Sequence, residues 1–232
     1  MEMRDKKSKE DFKKSQARRK YITITFLIIF CIGGGICAAA SIHMKKQDDR
    51  VMYMDILGKG DISIKSLRDK RLNYEQSLNI KEVNYNWKEE FIESNTPVEI
   101  VYHHTGSSES TPEQINEMHK NEGWNGIGYH FYIRKDGEIY RGRPEEVIGS
   151  HVYGRNRDTI GICLEGNFEV ENPTESQMQS LVKLSTDMVI KYDIKNIEGH
   201  RDLNQTLCPG KNLDIEGIKQ KVAENIIYLA QE

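Results

Sequence analysis

From about Val98 onward, apolar and polar positions either alternate or recur at helical spacing, and they divide the second half of the chain into elements. VEIVYH (98–103) alternates and is rich in β-branched residues, which predicts a strand. Thr111-Pro112-Glu113-Gln114 supplies an N-cap, a proline at the first helical position and a glutamine three residues after the cap. A helix of about ten residues follows from it, through Met118 and His119. GYHFYIRKDGEIYRGR (128–143) predicts two strands around the turn Lys135-Asp136-Gly137. DTIGICLEG (158–166) is an apolar run ending in glycine, the pattern of a buried strand. Thr174-Glu175-Ser176-Gln177 repeats the capping-box pattern, and Met178, Leu181, Val182, Met188, Val189 and Tyr192 follow it at helical spacing. A short strand near Ile197 and a helix over about 214–229 complete the series. Strands with helices between them predict an α/β domain of roughly 135 residues, over 96–232, enough to bury a core.

The first half reads differently. Residues 43–95 are charged, with scattered aromatics such as Tyr53, Tyr74 and Trp87 and no sustained period, and read as a stalk or lead-in, with room for part of it to pack on the domain edge. Residues 21–42 carry no charge and show no polar face. As a helix they span about 30 Å, the thickness of a bilayer's hydrocarbon core. Residues 1–20 hold nine Lys or Arg against four Asp or Glu, so the net charge of −3 conceals a +5 tail and a −8 remainder. The positive-inside bias then predicts a cytoplasmic tail (1–20), a transmembrane signal anchor (21–42) and an extracytoplasmic remainder from His43. Ala38-Ala39-Ala40 before Ser41 leaves open a cleaved signal peptide, which would make the protein secreted.

That topology changes the reading of the cysteines. Cys31 and Cys37 fall in the apolar segment, leaving Cys163 and Cys208 outside it. Two cysteines make no disulfide framework, although an oxidising exterior permits a Cys163–Cys208 bridge. Cys163, in TIGICLEG, has the setting of a small packed hydrophobe. Cys208 lies in GHRDLNQTLCPG, eight residues after His200, either as a stray thiol in a surface loop or as a metal ligand. A third ligand would come from the end of the first predicted strand. There His103 and His104 are adjacent, and alternation lets only one of them point to a given face. Two imidazoles, one thiolate and an open fourth position suit a catalytic zinc ion.

Five stretches in this order carry a family resemblance: IVYHHTGSS, GWNGIGYHFYIRKDGEIYRGR, IGSHVYGRNRDTIGICLEGNF, PTESQMQSL and GHRDLNQTLCPG. Together, over about residues 98–226, they resemble the zinc-dependent type 2 N-acetylmuramoyl-L-alanine amidases, including small phage lysozymes of amidase type and animal peptidoglycan recognition proteins. The resemblance implies a mixed central β-sheet flanked by helices. It implies Zn²⁺ held by His103, His200 and Cys208, with His104 as the reserve ligand and a residue near substrate. Tyr129 matches the family's catalytic tyrosine, and Thr206 stands where some members carry an assisting lysine and others a threonine. Where some relatives read IGIE and use that glutamate as general base, this chain reads IGIC, so Glu165, two residues beyond Cys163, is the candidate substitute. His151 and Asn156 match a loop flanking the groove and are expected to touch glycan or stem peptide. The implied reaction is hydrolysis of the amide between the lactyl group of N-acetylmuramic acid and L-alanine, outside a bacterial membrane. The alternative is a domain that binds peptidoglycan without cutting it. An acidic domain does not favour nucleic acid, which selects for basic faces, and nothing in the sequence sets an oligomeric state.

Overall fold

The computed structural model describes residues 64–91 and 94–231. Along the chain run α1 (Ile64–Ser77), β1 (Glu99–His104), α2 (Pro112–Asn121), β2 (Phe131–Ile133), β3 (Ile139–Arg141), β4 (Thr159–Leu164), α3 (Glu175–Tyr192), β5 (Asn196–Gly199), α4 (His200–Leu203) and α5 (Ile215–Gln231). The strands form one mixed sheet in the order β3-β2-β4-β1-β5. Only the β2–β3 hairpin is antiparallel; β2–β4, β4–β1 and β1–β5 are parallel. The expected α/β fold with a mixed central sheet and flanking helices is therefore present.

Strand alternation sorts the sheet into two faces. Ile100 and Tyr102 of β1, Phe131 and Ile133 of β2, and Ile160, Ile162 and Leu164 of β4 join the large core made with α1, α3 and α5. The intervening positions face the other way. There Tyr132 and Cys163 pack with Ile115 of α2, Ile127 and Tyr85 in a smaller cluster. The two helices predicted from capping boxes begin where those caps place them. Thr111 and Thr174 each accept from the amide three residues on, and Gln114 and Gln177 return the bond.

Strand length needs correction, and the lead-in gains definition. The hairpin strands are short, three residues each, rather than filling 128–143. Much of the predicted stalk belongs to the folded domain. Leu67 of α1 and Leu78 are buried in the large core, and Arg71 forms an ion pair with fully buried Asp187 of α3, its Nε 2.9 Å from Oδ1 and its Nη2 donating to Oδ2 at 3.2 Å. Beyond α1, Lys81 exchanges backbone bonds with Ile139 and Arg141, at 2.8 and 2.9 Å. Tyr85 and Trp87 then pack at the smaller cluster. The predicted membrane segment, 21–42, lies outside the described residues; among the described residues no helix is long and apolar enough to cross a membrane.

Candidate metal centre and active site

The sheet brings three separated side chains to one point. His103 is next to last in β1, in register with Cys163 of β4. On the other side β1 pairs with β5, Tyr102 opposite Gly199, so His200, the next residue along, comes beside His103. Their rings lie 4.8 Å apart. The loop after α4 then returns Cys208, whose Sγ is 3.5 Å from Nδ1 of His103 and accepts the amide of His104 at 3.4 Å. Arg201 holds that loop by donating to the carbonyls of Gly210 and Leu213, and Asp202 accepts the Gly199 amide at 2.8 Å. One ligand atom from each of His103, His200 and Cys208 lies within 4.8 Å of the other two.

A hydrogen-bond chain sets the tautomer of His103. The Thr159 hydroxyl donates to the Asn156 carbonyl at 2.9 Å, so it accepts from Nε2 of His151 at 3.2 Å. Nδ1 of His151 is thereby an acceptor and takes the Nε2 proton of His103 at 3.0 Å. The lone pair of His103 is left on Nδ1, the atom facing Cys208. Orienting a metal-binding imidazole through its far nitrogen is the usual task of a neighbouring acceptor. Gly161 makes room for it, since a Cβ there would come within 2.7 Å of the His151 ring.

The electrostatics keep these donors neutral until a cation arrives. Burial holds His103 well below the ordinary histidine range, His200 adding to the effect, and burial lowers His200 as well. Burial pushes the Cys208 thiol up to about 12, against the His104 amide and Arg201, which favour the thiolate. Two neutral imidazoles and a thiol that needs a compensating positive charge to ionise are a donor set suited to a soft divalent metal. The residues fit zinc.

Tyr129 stands over this point, its ring 5.1 Å from His103 and 5.3 Å from His119. Burial, followed by Cys163 and Cys208, raises its hydroxyl well above the usual tyrosine value. It remains a proton donor. The Thr206 hydroxyl accepts the Cys208 amide at 3.2 Å and so braces the ligand turn.

The other predicted residues have different places. His104 points to the opposite face, where Nδ1 accepts the Phe168 amide at 3.1 Å, so the reserve ligand is turned away from the cluster. His151 is buried behind His103, and the Asn156 side chain accepts the amides of His151 and Val152 at 2.7 and 2.8 Å. His151 thus supports the ligand from behind, and half-exposed Asn156 braces the turn that carries His151. Glu165 has both oxygens occupied, by the amides of Ser110 and Lys135 at 3.0 Å each and by Nε of Arg134 at 3.3 Å. A carboxylate so engaged does not replace a general base beside the cluster. Cys163 and Cys208 are both free thiols, so no bridge joins them.

Sequence reasoning missed His119 and His130. Nδ1 of His119 accepts the Gly128 amide at 3.0 Å. Nδ1 of His130 accepts the Gly161 amide and its Nε2 donates to the Val147 carbonyl, both at 2.9 Å. Burial lowers each to about 4. Their position in GYH and MHK gave no periodic signal for such bonds.

Residues 93–211 match the family model described as N-acetylmuramoyl-L-alanine amidase. An endolysin of Klebsiella phage KP32 is 34% identical over 122 residues, covering 49% of this chain and 81% of the relative. The solved endolysin amidase LysCS of Clostridium intestinale is 51% identical with a TM-score of 0.61, covering 62% of this chain and 95% of its own. A solved ectodomain complex of peptidoglycan recognition proteins LCa and LCx, bound to tracheal cytotoxin, is 28% identical with a TM-score of 0.54, covering 61% and 95%. The α/β sheet, the His-His-Cys cluster and these matches lead to one conclusion: the chain belongs to the N-acetylmuramoyl-L-alanine amidase family and is a peptidoglycan amidase.

Proposed function

We propose that this amidase is zinc-dependent and cleaves the bond between the lactyl group of N-acetylmuramic acid and L-alanine at the outer face of a bacterial membrane. The observation that carries the proposal is the convergence of His103, His200 and Cys208 within 4.8 Å, with Tyr129 against His103. The pattern of residues 1–42, with its basic tail and uncharged stretch, motivates the membrane location. The muramyl-peptide substrate is supported by the likeness to a recognition-protein complex that holds tracheal cytotoxin.

In a site of three protein ligands and one open position, zinc when bound supplies Lewis acidity and lowers the pKa of water to near neutrality. The chain's own residues do the rest. His151 keeps the Nδ1 lone pair of His103 aimed at the centre, while Arg201 and Asp202 fix the loop that carries His200 and Cys208. The Tyr129 hydroxyl, held protonated by burial, donates to the oxygen that gains charge as the amide carbonyl is attacked. Presence of Cys208 also favours cleavage over mere binding, because it completes the donor set.

The test is the Cys208→Ser variant. Its zinc content by elemental analysis and its amidase activity should fall together, with activity down by more than a hundredfold, on the order of 3 kcal/mol. A zinc-replete, fully active variant would remove Cys208 from the proposal.

A further inference from the structure

Tyr129 stands on a stretch that no helix or strand holds. Residues 127–129 run in irregular conformation between α2 and β2. A donor to a developing charge has to be in place before the reaction starts, so something outside the regular elements must fix this one. The bonds of Arg143 converge there. Its amide donates to the Tyr129 carbonyl at 2.8 Å, and its Nε donates to the Ile127 carbonyl at 3.2 Å. Nη1 of the same guanidinium reaches a second turn, donating to the Ile148 carbonyl at 2.9 Å and to the Ser150 hydroxyl at 2.8 Å.

That second turn is braced independently. Asn156 accepts the amides of His151 and Val152, and His151 donates to the Thr159 hydroxyl. The two segments also touch directly. The Ser150 amide donates to the Gly128 carbonyl at 3.0 Å, and a Cβ on Gly128 would come 2.0 Å from the Ser150 carbonyl oxygen. Arg143 therefore ties an irregular segment to a fixed one.

The setting of Arg143 makes the tie stiff. Its residue is 4% exposed, and the Phe91 ring lies over the guanidinium at 5.3 Å. Glu145, the acid two residues on, is taken by Arg141, Lys191 and Tyr192. Burial lowers the guanidinium to about 10, which leaves it cationic at neutral pH. A charged donor bonds a carbonyl more strongly than a neutral one. The planar fork also fixes the angle between Nε and Nη1, and hence the separation of the two segments, which a flexible ammonium cannot do.

We propose that Arg143 is a positioning residue for the amidase reaction: its guanidinium clamps the Ile127–Tyr129 segment to the Ile148–Ser150 turn and so sets the Tyr129 hydroxyl over the His103–His200–Cys208 centre. This rests on the reading of Tyr129 as donor to the oxyanion. The metal ligands have other anchors, in His151, Arg201 and Asp202, so the clamp acts on the tyrosine and not on the metal.

Muropeptide hydrolysis by the full chain tests this in Arg143→Met, Arg143→Lys, Tyr129→Phe and the two double variants. Arg143→Met should lower kcat by about tenfold to a hundredfold, with KM and zinc content close to the parent's. Arg143→Lys keeps the charge and loses the fork; it should fall between Arg143→Met and the parent, and it carries the test if Arg143→Met does not fold. In the Tyr129→Phe background either Arg143 substitution should cost less than about threefold more, because the group it positions is gone. An unchanged kcat in both Arg143 variants, losses that multiply with that of Tyr129→Phe, or loss of zinc in step with activity would each overturn the clamp. Release of stem peptide by the parent judges the amidase reading, and Tyr129→Phe alone judges its tyrosine; the coupling between the two substitutions judges Arg143.

Discussion

At the scale of single residues, the site is a set of neutral donors whose neutrality is imposed by burial. Tyr129 is the clearest case. Replacing it with Phe removes one donor to the developing oxyanion and leaves the ring packed on His103. The expected result is a kcat lower by about a hundredfold or more with zinc content unchanged; steady-state kinetics and elemental analysis check it, and a kcat within threefold of the parent would contradict the role.

His130 makes a different prediction, about stability. Its folded pKa of about 4 lies below the ordinary 6.5 because burial disfavours the cation. The unfolded chain therefore binds the extra proton first. The stabilising contribution is present above pH 6.5 and is lost as pH falls toward 4, amounting to about 3 kcal/mol at most. Urea denaturation at pH 7 and pH 5 should show a smaller loss for His130→Gln than for the parent; identical slopes would contradict the assignment.

Residue chemistry was partly legible in the sequence. His103, His200 and Cys208 could be proposed because imidazole and thiolate are rare together and the family motifs align with them. The bonds of His151 and Glu165 could not be read. Each depends on which atoms the fold brings to a given ring nitrogen or oxygen, and those partners, His103 for one and Ser110 for the other, lie 48 and 55 residues away.

At the scale of elements, local signals were reliable and distant ones were not. The capping boxes at Thr111 and Thr174 act within four residues, and both helices start there. The strand patterns at 98–103 and 158–166 held because β1 and β4 are buried along their length. Helix α1 was invisible because only part of it faces the core, and its polar anchor is Asp187, 116 residues from Arg71. Burial pushes Asp187 up to about 6 even with Arg71 beside it. Arg71→Ala strands that carboxylate and should cost roughly 3 kcal/mol, and adding Asp187→Asn should recover part of the loss. Denaturant unfolding of the two variants measures this, and an Arg71→Ala protein as stable as the parent would show that α1 does not lean on the pair.

At the scale of the whole molecule, the sheet works as a positioning device. Its parallel centre, β4-β1-β5, delivers His103 and His200 side by side at one end, and the loop beyond α4 adds Cys208. The helices behind the opposite face supply most of the core, which lets the metal face carry five of the chain's seven histidines, His103, His119, His130, His151 and His200. The lead-in from α1 to Trp87 completes both faces, so the domain begins well before the first predicted strand.

The most direct test is mass spectrometry of muropeptides incubated with the full chain, with and without a zinc chelator. The account predicts free stem peptide, its L-alanine amine newly exposed, in the untreated sample and none after chelation. Intact muropeptides from folded, zinc-loaded protein, or release that chelation leaves unchanged, would contradict it.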